Sequence, residues 1–153
     1  MVRTYECTRD VLDHARSFHQ ELHKIYQSLA DEAKQARVRM LLDYLSRHEA
    51  NLEANLADFE AEASNKILDT WFKFVPSETR LREIQQLQLE PEMSIPDIVN
   101  VALSLDDCLV SLYRDVAEVS VSLEVKEVFN NLLEQEEQEK HRLARNALMV
   151  EDL

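Results

Sequence analysis

Glutamates at positions where a helix would face a protein core are the first feature of this chain that could carry chemistry. The stretch LLEQEEQEKHRL, residues 132–143, places Glu136 and Glu139 within its apolar seam. An earlier stretch, LSRHEANLEANL at residues 45–56, has Glu49 at the matching position. Carboxylates in an apolar interior must be protonated, reached by water or neutralised by cations, because burying an unpaired charge is costly.

An offset of 87 residues superimposes the first half of the chain on the second half without a gap. The offset pairs Val11 with Ile98, Ala15 with Ala102, Tyr26 with Tyr113, Glu49 with Glu136, and Leu56 with Leu143. Two helices with apolar seams always match in part, but identical alanines, tyrosines and glutamates in one frame exceed that expectation. We predict an internal repeat, in which one helical hairpin occurs twice.

The same frame completes a set of polar side chains. His19 of the first half falls on Asp106, and Leu52 falls on Glu139, which shares a helix face with Glu136 three residues earlier. If the halves are related by a twofold axis, the polar residues converge near the middle of the molecule. The candidate metal ligands are His19, Glu49, Asp106, Glu136 and Glu139. Two divalent ions would cancel their four negative charges, and this donor set suits iron or manganese, with zinc or calcium as alternatives.

Composition and periodicity predict the helices that position these residues. The 153-residue chain has no glycine and three prolines, which disfavours sheet proteins because glycine supplies tight turns. Apolar residues recur at alternating spacings of three and four along four segments. This pattern predicts a single all-α domain, residues 1–153, folded as a four-helix bundle. The helices are predicted to start near Thr8 (as N-cap), Ala36, Ser94 and Ser122.

The segment 64–93 separates the two predicted hairpins and differs from both. A short helical pattern lies near its end, at Leu81, Ile84 and Leu87. About thirty residues are too many for a tight turn, so we predict a long crossover that packs a short helix on the bundle. We expect its aromatic residues Trp71, Phe72 and Phe74 to join the core or cap it, with a subunit contact as the alternative.

Residues on three of the predicted helices resemble the ferritin-like superfamily, nearest the rubrerythrin and bacterioferritin type. The matching positions are Ala15, Leu22, Tyr26, Leu29 and Ala30 around His19, then Leu45, Glu49 and Leu56, then Leu132, Glu136 and Leu143. In that superfamily, the first and third helices each supply a glutamate and the second and fourth each supply Glu-x-x-His, which together bind two metal ions. The resemblance covers all four helices and the crossover.

The chain departs from the superfamily pattern at four ligand positions. His19 and Asp106 replace the glutamates of the first and third helices, and both residues can ligate a metal. Leu52 stands at the second-helix histidine and cannot ligate, whereas Glu139 stands at the fourth-helix histidine and can. His48 could also reach inward. We therefore predict an asymmetric site that binds metal more tightly in the half containing Asp106, Glu136 and Glu139, and more weakly or not at all in the other half.

The resemblance implies an iron- or manganese-binding protein that acts in metal handling or in redox chemistry on oxygen or peroxide. The alternative is a degenerate, metal-free ferritin-like bundle that acts as a binding or dimerisation module. An exposed aromatic patch around Trp71 would favour this alternative. The sequence names no organic substrate and leaves enzymatic activity open.

Charge and cysteine usage constrain the partners and the compartment. The formal net charge of −13 disfavours nucleic acid and anionic membranes as partners, because both require basic patches. No stretch approaches the roughly 18 apolar residues of a membrane span. Cys7 and Cys108 form no CxxC pair, which predicts reduced thiols. We expect a cytoplasmic protein that forms a homo-oligomer, specifically a dimer.

Overall fold

The computed structural model describes residues 5–73 and 89–151 and consists mainly of four long helices. These are α1 (Thr8–Glu32), α2 (Ala36–Glu62), α4 (Ile95–Val119) and α5 (Leu123–Glu151), and a one-turn helix, α3 (Asn65–Leu68), follows α2. The predicted all-α four-helix bundle is confirmed. Within the described ranges, no helix contains an apolar stretch long enough to cross a membrane.

The bundle consists of two helical hairpins, in which α1 packs against α2 and α4 packs against α5. The predicted seams form one hydrophobic core between them. Its fully buried members include Leu12, Leu22, Leu41, Leu42, Leu105, Leu109 and Phe129. Burial of these apolar faces is the main source of stability for helices in a bundle.

Local capping explains where two of the helices begin. At α4, the Ser94 hydroxyl accepts the backbone N–H of Asp97 at 3.3 Å and Pro96 lies in the first turn, as predicted. The prediction that Thr8 caps α1 is wrong by one residue. The N-cap is Cys7, whose backbone N–H and thiol both donate to the Asp10 carboxylate at 3.3 Å.

The bounds of the helices follow the same offset of 87 residues as the sequence. The offset carries both ends of α1 onto the ends of α4, and the first residue of α2 onto the first residue of α5. Helices α1 and α4 are both 25 residues long, and α2 and α5 are 27 and 29 residues long. The two hairpins therefore have closely matched dimensions.

A short antiparallel ribbon, which the sequence did not predict, joins the crossover to the segment before α1. Strand β1 (Tyr5–Cys7) pairs with strand β2 (Trp71–Lys73) and ties the start of α1 to the crossover. Leu68 is buried, but Trp71 is 60% exposed, so Trp71 does not join the core, and its role as a cap or as a subunit contact stays a prediction. The predicted short helix at 81–87 and Phe74 lie outside the described residues.

Candidate metal centre

Four of the five predicted ligands converge in the interior, and each comes from a different long helix. His19, Glu49, Asp106 and Glu136 are 1%, 2%, 2% and 4% exposed. They lie on α1, α2, α4 and α5 respectively. Their burial agrees with the seam positions of Glu49 and Glu136 and with the flanking positions of His19 and Asp106, because a period of 3.6 residues turns these faces toward the bundle axis.

His19 connects the two hairpins at the centre of this group. Its Nδ1 lies 2.5 Å from Oε2 of Glu49, on the other helix of the same hairpin. Its Nε2 lies 3.5 Å from Oε1 of Glu136, on the second hairpin. The imidazole therefore stands between the two glutamates that the offset of 87 residues pairs.

Burial controls the protonation of these groups. Removal from water raises the pKa of Glu49 and of Glu136 to about 8 and lowers the pKa of His19 below its ordinary value. Burial raises the pKa of Asp106 well above its ordinary value, and the negative charge of Glu49 raises it further. The pKa shifts of Glu49 and His19 both favour a protonated Glu49 and a neutral His19 when no cation is bound, so the 2.5 Å contact between Oε2 of Glu49 and Nδ1 of His19 holds a proton.

Some buried polar atoms near this group have no hydrogen-bond partner among the described residues. They are Oδ2 of Asp106, Oε1 of Glu136 and the hydroxyl of Tyr26. The pKa of Tyr26 is raised by burial and by the nearby Glu49 and Asp106 carboxyls. Unpaired polar atoms in a protein interior are uncommon, and unpaired acid oxygens are compatible with binding of an ion or water.

Glu139, the fifth predicted ligand, lies at the rim of the group rather than inside it. Its side chain is 24% exposed, with Oε1 3.4 Å from a guanidinium nitrogen of Arg142. Its Oε2 lies 3.6 Å from Nδ1 of His48, whose side chain is 7% exposed. The sequence did not determine the direction of His48, because this residue flanks the seam of α2 rather than occupying it.

The fold of the chain was compared with known proteins. It is similar to a solved structure from Thermotoga maritima described as a ferritin-like diiron-carboxylate protein, with a TM-score of 0.62 and 13% sequence identity. The similarity covers 94% of this chain and 95% of that one. The chain has a ferritin-like fold. No family model matches the sequence, and no curated protein matches it. The resemblance predicted from the helix spacings is thereby confirmed at the level of fold.

Two open cavities lie between α2 and α5 of this ferritin-like bundle, and the first of them reaches the inner group. The first, of about 440 Å³, has His19 and Glu136 in its wall, and its outer part is lined by the amides of Asn55, Asn131, Gln135 and Gln138. The second, of about 540 Å³, is bordered by His48 and Arg142. Leu52 and Glu139 border both cavities, so the position that lacks the family histidine lies beside the entrance.

The donor types fit a metal ion, although His19 and Glu49 are hydrogen-bonded to each other instead of to an ion. Within residues 5–73 and 89–151, no three His, Cys, Asp or Glu side chains stand together so that they could hold an ion as they lie. Buried carboxyls and an imidazole are nevertheless suitable ligands for iron, manganese or zinc. A cation would have to displace the proton shared by His19 and Glu49 before both residues could ligate it.

Proposed function

We propose that this ferritin-like bundle binds iron or manganese through His19, Glu49, Asp106 and Glu136, with Glu139 at the rim. The observation that carries the proposal is the burial of three acids beside one imidazole, with Oδ2 of Asp106 and Oε1 of Glu136 outside any hydrogen bond within the described part of the chain. A cluster of this kind is destabilising unless a counter-charge offsets the loss of hydration. A bound cation would supply that counter-charge.

Metal handling or redox chemistry on oxygen or peroxide is the reaction class that we propose for this centre. Bound iron or manganese would supply electrons and Lewis acidity. The residues of the chain would hold the ion in the buried centre, and the proton between His19 and Glu49 would leave as the ion enters. The amide-lined cavity beside Glu136 provides a route for small polar molecules.

We further propose that the two hairpins are copies of one unit, as their common offset of 87 residues suggests. On this basis the copies differ most in their metal ligands at one pair of positions, where Leu52 in α2, which cannot ligate, corresponds to Glu139 in α5, which can. The half of the centre that contains Asp106 and Glu136 would then hold its ion more tightly than the half that contains Leu52.

Metal analysis of purified protein tests the proposed function. Wild type, Glu49→Gln and Glu136→Gln would be expressed with iron and manganese supplied, and the metal content per chain measured by mass spectrometry. We expect up to about two ions per chain in the wild type and at least a ~10-fold lower content in both variants. Glu134→Gln, an exposed position on the same helix, is the matched control and should retain the wild-type content. A wild type with no more metal than Glu136→Gln would refute the proposal.

A metal-free dimerisation module is the second candidate function, and the exposure of Trp71 favours it. A large exposed aromatic side chain is a common feature of protein contacts. In this alternative, Trp71→Ala would weaken self-association measured by sedimentation, and Glu136→Gln would raise the melting temperature because the buried acid has only a cost. We also propose a cytoplasmic location, which is compatible with the buried thiols of Cys7 and Cys108.

A further inference from the structure

His48 has a position that the superfamily pattern does not assign to a ligand, yet it lies beside the candidate centre. The residue is 8% exposed, and its ring stacks on Tyr44 with centroids 6.0 Å apart and an interplanar angle of 20°. Its Nε2 is buried without a hydrogen-bond partner among the described residues. The ring borders the second cavity, so the imidazole lies next to an open space.

Glu139 faces His48 from the other hairpin. Arg142 contacts one carboxylate oxygen of Glu139 at 3.4 Å, and the other oxygen, Oε2, lies 3.6 Å from Nδ1 of His48. This separation is longer than a hydrogen bond. Two donor atoms bound to one ion at ~2.1 Å lie roughly 3–3.5 Å apart for common coordination angles, so only a small movement would let both atoms bind the same ion.

We propose that His48 and Glu139 hold a divalent ion at an outer position, where His48 takes the place of the histidine that is absent at Leu52. The inference rests on the proposed function, because the outer position adjoins the inner group. Glu139 of the outer position lies on the same helix face as Glu136 of the inner group. With two protein donors and an open cavity for water, the outer ion is bound more weakly than the inner ion. Metal binding therefore occurs in two steps of different affinity.

Titration of the metal-free protein with Co(II) tests the outer position. Calorimetry gives the stoichiometry and the affinity of each step, and the visible absorption of Co(II) reports a change of ligands. In wild type we expect a tighter and a weaker step. In His48→Ala the weaker step should weaken by at least ~10-fold while the tighter step is unchanged. The matched control is His141→Ala, which removes an exposed imidazole on α5 and should leave both steps unchanged.

A second variant separates loss of a ligand from loss of fold. Leu52→His in the His48→Ala background places an imidazole beside both cavities and should restore the weaker step. Two unchanged steps in His48→Ala would overturn the outer position but leave the proposed function intact. Loss of both steps in a His48→Ala protein with wild-type circular dichroism would also overturn it. No Co(II) binding by the wild type would refute the proposed function as well.

Discussion

At the scale of single residues, the main constraint on the centre is the number of acidic side chains that the core must bury. His19 stands where the family resemblance expects a glutamate, which removes one of the buried acids. Glu139 remains partly exposed beside Arg142, which keeps another charge at the rim. The inner group therefore contains three acids and an imidazole, and burial raises the pKa values of Glu49 and Glu136 to about 8.

The raised pKa values predict how the stability of the metal-free protein depends on pH. Between the ordinary value of 4.5 and about 8, Glu49 and Glu136 bind more protons in the folded chain than in the unfolded chain. Their contribution is complete below pH 4.5 and is lost as the pH rises through 8. The lowered pKa of His19 acts in the opposite direction, but only below 6.5. From pH 6.5 to 8 we expect the free energy of unfolding to fall, by up to about 1.4 kcal/mol per pH unit for each proton released.

Urea denaturation in the presence of a chelator measures this dependence. The matched control is the double variant Glu49→Gln, Glu136→Gln, which keeps side chains of similar size but cannot titrate at those positions. Its stability should change less over the same pH range than that of the wild type. A wild-type stability that rises between pH 6.5 and 8 would contradict the assignment of protonated acids to the core.

At the scale of helices, short-range contacts decide where α4 and α5 begin. Ser94 and Ser122 both precede a helix, and each hydroxyl accepts a backbone N–H three residues later at 3.3 Å. The packing between helices differs along the bundle, because two cavities beside Leu52 lie between α2 and α5. The helices are therefore defined locally, whereas access to the centre depends on how α2 packs against α5.

Removal of the cap at α4 tests the local contribution. Ser94→Ala leaves the backbone N–H of Asp97 without its acceptor, so we expect a loss of about 1 kcal/mol in the free energy of unfolding. Ser104→Ala, at an exposed position within the same helix, is the comparison and should be neutral or slightly stabilising because alanine favours helix. Equal destabilisation by the two substitutions would show that the Ser94 hydroxyl has no capping role.

At the scale of the whole molecule, the centre exists only when the two hairpins are assembled. His19 contacts Glu49 within the first hairpin and Glu136 in the second, and His48 faces Glu139 across the same boundary. A ligand that binds here recognises the folded chain and not the unfolded chain. Metal binding should therefore stabilise the entire bundle by mass action.

Thermal unfolding with and without Mn(II) measures this coupling. At a free Mn(II) concentration 100 times the dissociation constant, we expect about 2.7 kcal/mol of added stability, or a rise of roughly 5–10 °C in the melting temperature. Glu136→Gln should lose most of this rise. A melting temperature that increases equally in the wild type and in Glu136→Gln would indicate nonspecific binding of the cation to the acidic surface.

The sequence by itself determined the fold class, the approximate bounds of the four long helices and the burial of the inner acids. These features depend on helical periodicity and on capping, which involve residues close together in the chain. Glu49 and Glu136 could be placed in the interior because each interrupts an otherwise apolar seam. Asp106 and His19, which flank their seams, required the internal repeat as well.

Only the tertiary structure decided how these side chains meet. The bridging position of His19, the rim position of Glu139 and its proximity to His48 depend on how one hairpin lies against the other. The ribbon that pairs Tyr5–Cys7 with Trp71–Lys73 joins segments far apart in the chain, and no local pattern predicts such pairing. Periodicity indicates which face of a helix is buried, but the distance between two buried side chains depends on the packing of different helices.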